Sequence, residues 1–206
     1  MDPAPTNPSP DIQSAQPRVY LAGPEVFLAD ALGVAAAKKA LCAEQGLMGV
    51  FPFDIEIKGA DALAQLERAR RISLNNESLM RSCDLVVANC TPFRGVAMDS
   101  GTAYEVGFMR ALGRPVFGYS NVAGDYKTRA LTWAALPTPP WETAAHAAEI
   151  EDFGMAENLM ITVPMLEYGD GLVSGATAPG EEIGDLAAFR RCLAMARAWF
   201  ARAPRP

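Results

Sequence analysis

Two carboxylates lie six residues apart, Asp99 and Glu105, in the stretch "MDSGTAYEVGFMRALG" at 98–113. Asp99 or Ser100 makes a good helix N-cap, and Gly101 and Thr102 open the first turn. At 100° per residue, Tyr104, Phe108, Ala111 and Leu112 share one face. Glu105 falls inside that apolar stripe, with Met109 on its far side. Its neighbours three and four positions away are Gly101, Thr102, Phe108 and Met109, so no cation on the helix can pair with it. The positive helix end favours an ionised Glu105, and burial opposes it. A carboxylate that is ionised, poorly solvated and aimed into a cleft suits nucleophilic attack. Two carboxyls beside one anomeric carbon are the minimal equipment for glycosyl transfer, one attacking while another group handles the leaving-group proton. Periodicity leaves a second reading open, in which Glu105 is a structural carboxylate bonded to backbone or to Tyr20 and Asp99 is only the cap.

Other chemistry-bearing residues are few. "YLAGP" offers Tyr20 at a strand end and Gly23, where a ligand or backbone could approach closely. Tyr20 reads equally as a half-buried strand aromatic. "AGPE" is not G-x-G-x-x-G and "TPFRG" is not a P-loop, so no Gly-rich phosphate cradle is present and no cofactor is expected. Arg94 reads as an anion contact or as a solvated loop residue. His146 is the only histidine, which excludes a three-histidine zinc site within one chain, and no metal is expected. Cys42, Cys83, Cys90 and Cys192 form no C-x-x-C pair and read as reduced, buried thiols.

Alternating strands and helices must position these groups. "RVYLAG" (18–23) reads as a first buried strand, 28–45 as a helix stopped by Gly46, and "LMGVFPF" (47–53) as a strand broken by Pro52. Residues 61–83 read as one long helix or two, irregular at Asn75 and Asn76. "DLVVANC" (84–90) is a clear buried strand. The helix carrying Glu105 follows, ended by Gly113 and Pro115, and "PVFGYS" (115–120) is a fourth strand. This order implies an α/β fold with a doubly wound parallel sheet and helices on both faces. Ligands then bind beyond the carboxyl ends of the strands. Three loops reach that edge: "AGPEVF", "TPFRGVAMDSGT" and "SNVAGDYKT". Residues 134–148 and 167–184 read as loops, and 185–203 as a terminal helix.

With 206 residues, half of them hydrophobic and 20% charged, the chain reads as one soluble domain over 18–203. "MDPAPTNPSPDIQSAQP" (1–17) reads as a disordered Pro-rich tail without an apolar signal region. A net charge of −6 without a basic run argues against nucleic-acid or anionic-membrane partners, and no stretch approaches a membrane span. A cytoplasmic location is expected.

"VYLAGPEVF", "SCDLVVANCTPFRGVAMDSGTAYEVGFMRALGRPVFGYS" and "ENLMI" together resemble the nucleoside 2-deoxyribosyltransferases, across roughly residues 18–165. The most specific part is Asp-x-Gly-x-x-x-Glu, matched by Asp99, Gly101 and Glu105. The resemblance implies a flavodoxin-like fold and a retaining double displacement between 2′-deoxyribonucleosides and free nucleobases. It makes Glu105 the nucleophile at C1′, Tyr20 the tyrosine that orients it, and Asp99 a proton donor at the base edge. Gly23, Phe27 and Asn76 would contact substrate. Asn158 and Met160 match residues lent to a neighbouring subunit, which implies a homodimer or an assembly of dimers with shared sites. Some members carry an aspartate where Asn76 stands. An amide cannot readily protonate a base, which shifts the acid role to Asp99 or water. A hydrolase of deoxynucleosides or their 5′-monophosphates is the nearest alternative, and a non-catalytic nucleotide-sensing module is one of another class.

Overall fold

Five short runs of apolar residues pair into one parallel sheet: β1 (Arg18–Ala22), β2 (Met48–Val50), β3 (Leu85–Asn89), β4 (Val116–Ser120) and β5 (Val173–Ser174). The order is β2-β1-β3-β4-β5, with every pair parallel. This is the flavodoxin-like order, whose switch point lies between β1 and β3. The computed structural model describes residues 16–55, 59, 62–134 and 149–202.

Strand parity sorts the core into two halves, because successive side chains point to opposite faces. On one face Val19, Leu21, Leu85, Val87, Phe117 and Tyr119 pack against α1 (Ala31–Glu44) and α6 (Ala187–Arg202). On the other, Tyr20, Ala22, Val86, Ala88 and Val116 meet α2 (Gln65–Arg81), α3 (Ser100–Ala111) and α5 (Leu159–Leu166). Tyr20 therefore stands on the α3 side and Tyr119 on the α1 side. Both α1 and α3 end in a Schellman arrangement. Gly113 has φ +70 and donates to Arg110 O, and Arg114 N reaches Met109 O at 3.0 Å. Gly46, at φ +68, closes α1 in the same way, with Leu47 N on Cys42 O at 2.9 Å. Glycine adopts this left-handed conformation without the Cβ penalty that other residues carry.

The structure differs from the sequence reading at several points. α2 runs through Asn75 and Asn76 without a break. The second strand is only three residues, so Pro52 lies beyond it. α1 starts at Ala31, capped by Asp30, whose carboxylate accepts from Gly33 N at 3.1 Å. After residue 125 the chain forms α4 (Tyr126–Ala134), α5 and β5, none of which its weak periodicity indicated. Residues 1–15, His146 and the rest of 135–148 lie outside the described residues.

The C-terminal helix belongs to the core. Phe189 is fully buried, edge-on to Tyr119 at 5.7 Å. Phe189→Ala is expected to cost about 3–5 kcal/mol, read as a lower urea midpoint at unchanged slope. A loss under about 1 kcal/mol would show α6 packed only loosely.

Candidate active site

α3 aims Glu105 at the sheet edge. Asp99 caps the helix, its Oδ2 accepting from Thr102 N at 2.9 Å and Thr102 Oγ1 at 3.1 Å. The buried face is Thr102, Val106 and Met109. Tyr104 does not belong to it: the ring is 54% exposed and its hydroxyl donates to Glu77 Oε1 on α2 at 2.7 Å. Glu105 still falls on the inner side, three residues after Thr102 and four before Met109. Its hydrogen-bond partner there is a hydroxyl. Tyr20 Oη, rising from β1, donates to Glu105 Oε1 at 2.6 Å.

Burial pushes the Glu105 carboxyl up to about 7. The Tyr20 hydrogen bond works against that rise, and the charges of Asp99 and Glu25 add to it. Between helix end and burial, burial therefore wins. Tyr20 is itself driven far above the ordinary tyrosine range by burial and by the neighbouring carboxylate, so it stays protonated and keeps its hydrogen to donate to Glu105.

A cavity of about 520 Å³ opens over Glu105, a size suited to one small-molecule ligand. Gly23, Val26 and Phe27 line it from the loop after β1, and Pro52, Phe53 and Ile55 from the segment after β2. α2 presents Arg68, Ile72, Asn75 and Asn76, positions that share one helical face. Asp99, Gly101, Thr102 and Glu105 complete the wall. Its lining thus combines two carboxylates, two carboxamides and a guanidinium with apolar side chains.

The cavity thus gathers Glu105, Asp99, Gly23, Phe27 and Asn76, with Tyr20 directly behind Glu105. It does not include Asn158 or Met160 of the same chain. Asn158 caps α5, its Oδ1 accepting from Met160 N at 2.9 Å and its Nδ2 donating to Glu151 at 2.7 Å. Met160 is 72% exposed. "SNVAGDYKT" contributes no lining residue, while the segment after β2, Arg68 and Asn75 do. Arg94 is an exposed loop residue, the second of its two expected roles. At φ 57, in the left-handed region, it lays its guanidinium over Phe27 and Phe93 at 5.1 and 4.6 Å. The two rings stack at 5.4 Å.

At Gly23 the protein itself approaches closely, whatever the cavity holds. A methyl there would overlap Glu25 Oε2 and stand 2.9 Å from Asn89 Cβ. Glu25 and Lys38 form a fully buried ion pair at 2.7 Å that the sequence reading missed. The available signal was a lysine among alanines: Lys38 shares the inner face of α1 with Ala31, Ala35 and Cys42.

Residues 19–160 match the family described as Nucleoside 2-deoxyribosyltransferase. A 2-desoxiribosyltransferase from Leishmania mexicana is similar, with a TM-score of 0.54 and 26% identity over 70% of this chain and 85% of that one. A conserved protein from Enterococcus faecalis V583 shares the fold, with a TM-score of 0.51 and 18% identity over 87% of this chain and 98% of its own. An uncharacterized protein from Schizosaccharomyces pombe is 37% identical over 116 residues, 53% of this chain and 54% of that protein. This chain therefore matches about half the length of that curated relative. The family match runs from β1 through the whole of α3, taking in Tyr20, Asp99 and Glu105, and the chain belongs to the nucleoside 2-deoxyribosyltransferase family.

Proposed function

We propose that the protein transfers 2-deoxyribose between nucleobases by double displacement, with Glu105 as the nucleophile. The observation that carries this reading is the 2.6 Å bond from Tyr20 Oη to Glu105 Oε1 beneath a nucleoside-sized cavity. One Glu105 oxygen attacks C1′ as the C1′–N bond breaks, through an oxocarbenium-like state. The bonding pair leaves on the base nitrogen, which takes a proton from Asp99 or from water. The product is a neutral deoxyribosyl ester. A second base then attacks C1′ through nitrogen, the C1′–O bond breaks, Glu105 recovers its charge, and the incoming base gives up its proton. Two inversions give net retention.

The burial that raises Glu105 assists this sequence. It disfavours the free carboxylate and has no such objection to an uncharged ester. Asp99 Oδ2 accepts the cap bond, which leaves Oδ1 free of it to serve the departing base. Asn76 can orient a base edge across the cavity. Asn158 and the exposed Met160 lie outside their own chain's cavity. That placement suits residues lent to a partner's site in a homodimer. No helix among the described residues is long and apolar enough to cross a membrane.

Incubation of a 2′-deoxynucleoside with and without a second base tests the reading. Exchange to a new nucleoside is expected. Base release at the same rate with or without acceptor, and no exchanged product, would make the protein a hydrolase instead. The pH profile adds a further expectation. Glu105 must be ionised to attack, so kcat/KM falls tenfold per pH unit below about 7. Tyr20→Phe removes a bond that lowers Glu105, so this limb moves to higher pH and the rate at neutral pH drops by roughly tenfold. A limb that stays put or moves down would contradict the role given to Tyr20.

A further inference from the structure

The segment "ENLMI" opens on a carboxylate that the chemistry above leaves unused. Glu157 is 2% exposed, and both of its oxygens are engaged. Oε2 accepts from Met98 N at 2.9 Å, and Oε1 from Asn158 N at 3.0 Å. Met98 immediately precedes Asp99, the cap of α3, and Asn158 is itself the cap of α5. Arg129, on α4, brings its guanidinium to 3.7 Å from Oε2. The same guanidinium donates to Val96 O at 3.2 Å, two residues before Met98, and to Ala156 O, just before Glu157. The backbone carbonyl of Glu157 accepts from Thr162 Oγ1 of α5 at 3.0 Å.

Stability alone is a weak reason for this arrangement. Burying a carboxylate and a guanidinium costs about what their attraction returns, and 3.7 Å is too long for a hydrogen bond between them. The carboxylate is directed instead at two backbone N–H groups at the entrances of separate helices, where negative charge is favoured. What distinguishes those two groups is what they lead to. One opens into Asp99, which lines the cavity. The other belongs to Asn158, whose carboxamide bonds Met160 N and Glu151 outside its own chain's cavity.

We infer that Glu157 is a positioning residue, which fixes Asp99 through the Met98 N–H and Asn158 through its own N–H. This rests on the proposed function, in which Asp99 serves the departing base and Asn158 a partner's site. Met98 is the last residue before the cap, so a bond at its N–H fixes the direction from which Asp99 enters α3. A displacement of about 1 Å in a reacting group can lower a rate roughly 100-fold. One buried carboxylate thus sets the spacing between an acid of this chain's cavity and the residue lent to its neighbour's.

The test is a pair of double-mutant cycles on base exchange, with kcat, KM and thermal melts recorded for each protein. Glu157→Gln keeps one acceptor oxygen for two N–H groups and loses the charge beside Arg129. With a donor base that leaves slowly, it is expected to lower kcat by roughly tenfold and raise KM by roughly threefold. In an Asp99→Asn background the kcat loss should shrink below about twofold, because the group being placed no longer carries a proton. In an Asn158→Ala background the rise in KM should vanish in the same way. A residue that only stabilises the fold would impose the same factors in every background. The full factor recurring in either background, or a folded Glu157→Gln with wild-type kcat and KM, overturns the proposal. If Glu157→Gln shows no cooperative melt, Glu157→Asp enters the same cycles, since it keeps the charge but is one methylene shorter than the span it must bridge. Loss of the cooperative melt in both variants assigns Glu157 to stability alone and overturns the proposal. Wild-type kcat in Asp99→Asn overturns this inference while base exchange stands. Exchange absent from wild type would instead overturn the proposed function, and this inference with it.

Discussion

Glu105→Ala is expected to lower deoxyribosyl transfer by at least roughly 1,000-fold, because no covalent intermediate can form without the carboxylate. The same substitution separates function from structure. A carboxyl raised to about 7 on folding from an ordinary value near 4.5 contributes stability that is lost as pH rises between the two. Above pH 7 the ionised Glu105 costs on the order of 3 kcal/mol. Removing it should leave the protein at least as stable at pH 8, and Glu105→Gln, which keeps an acceptor for Tyr20, should melt above wild type. A glutamate kept for structure would give the opposite pattern, with stability lost and activity largely retained. Urea titration at pH 8 beside initial rates distinguishes the two.

Asp99 carries the second large effect, and two substitutions resolve its two roles. Asparagine caps a helix about as well as aspartate, whereas alanine forfeits roughly 0.5–2 kcal/mol. Asp99→Asn should therefore keep the wild-type melt, and Asp99→Ala should not. For proton transfer the two are alike, since neither holds a proton at the base edge. Both should lose roughly 100-fold in kcat or more, the scale of general acid–base catalysis. The loss should shrink for donor bases that leave readily without a proton. Full activity in Asp99→Asn would reduce Asp99 to a cap and hand the proton to water.

The sheet and its edge were legible because parity and punctuation agree over 18–120. Each strand there is a short apolar run, and α1 and α3 each close on a glycine at positive φ. Glu105 was legible for the same reason, as an acid in a helical stripe that holds no cation. The stripe itself was drawn too wide. Counting Tyr104 as core ignored that an amphipathic aromatic can lie on the surface with its hydroxyl on a neighbouring helix. Lys38 gives the converse lesson: it shows the same signal as Glu105, a charge on an apolar face, in a residue type that is usually solvated. The contribution of α2 could not be read from spacing alone. Arg68, Ile72, Asn75 and Asn76 form a coherent face only once the helix is known to run unbroken past both asparagines. Between residue 125 and α6 the elements are short and held by tertiary contacts. Arg129 of α4 donates to Val96 O at 3.2 Å and to Ala156 O, bonds between distant segments that leave no local pattern.

The central claim is that a sugar is held covalently on Glu105. Intact-mass spectrometry of the protein mixed with a 2′-deoxynucleoside, quenched in acid before an acceptor base is added, tests it most directly. The account predicts a mass increment of one deoxyribosyl group, discharged when acceptor is supplied and absent from Glu105→Ala. Turnover in the wild type with no such adduct at any quench time, or an adduct that persists in Glu105→Ala, would contradict it.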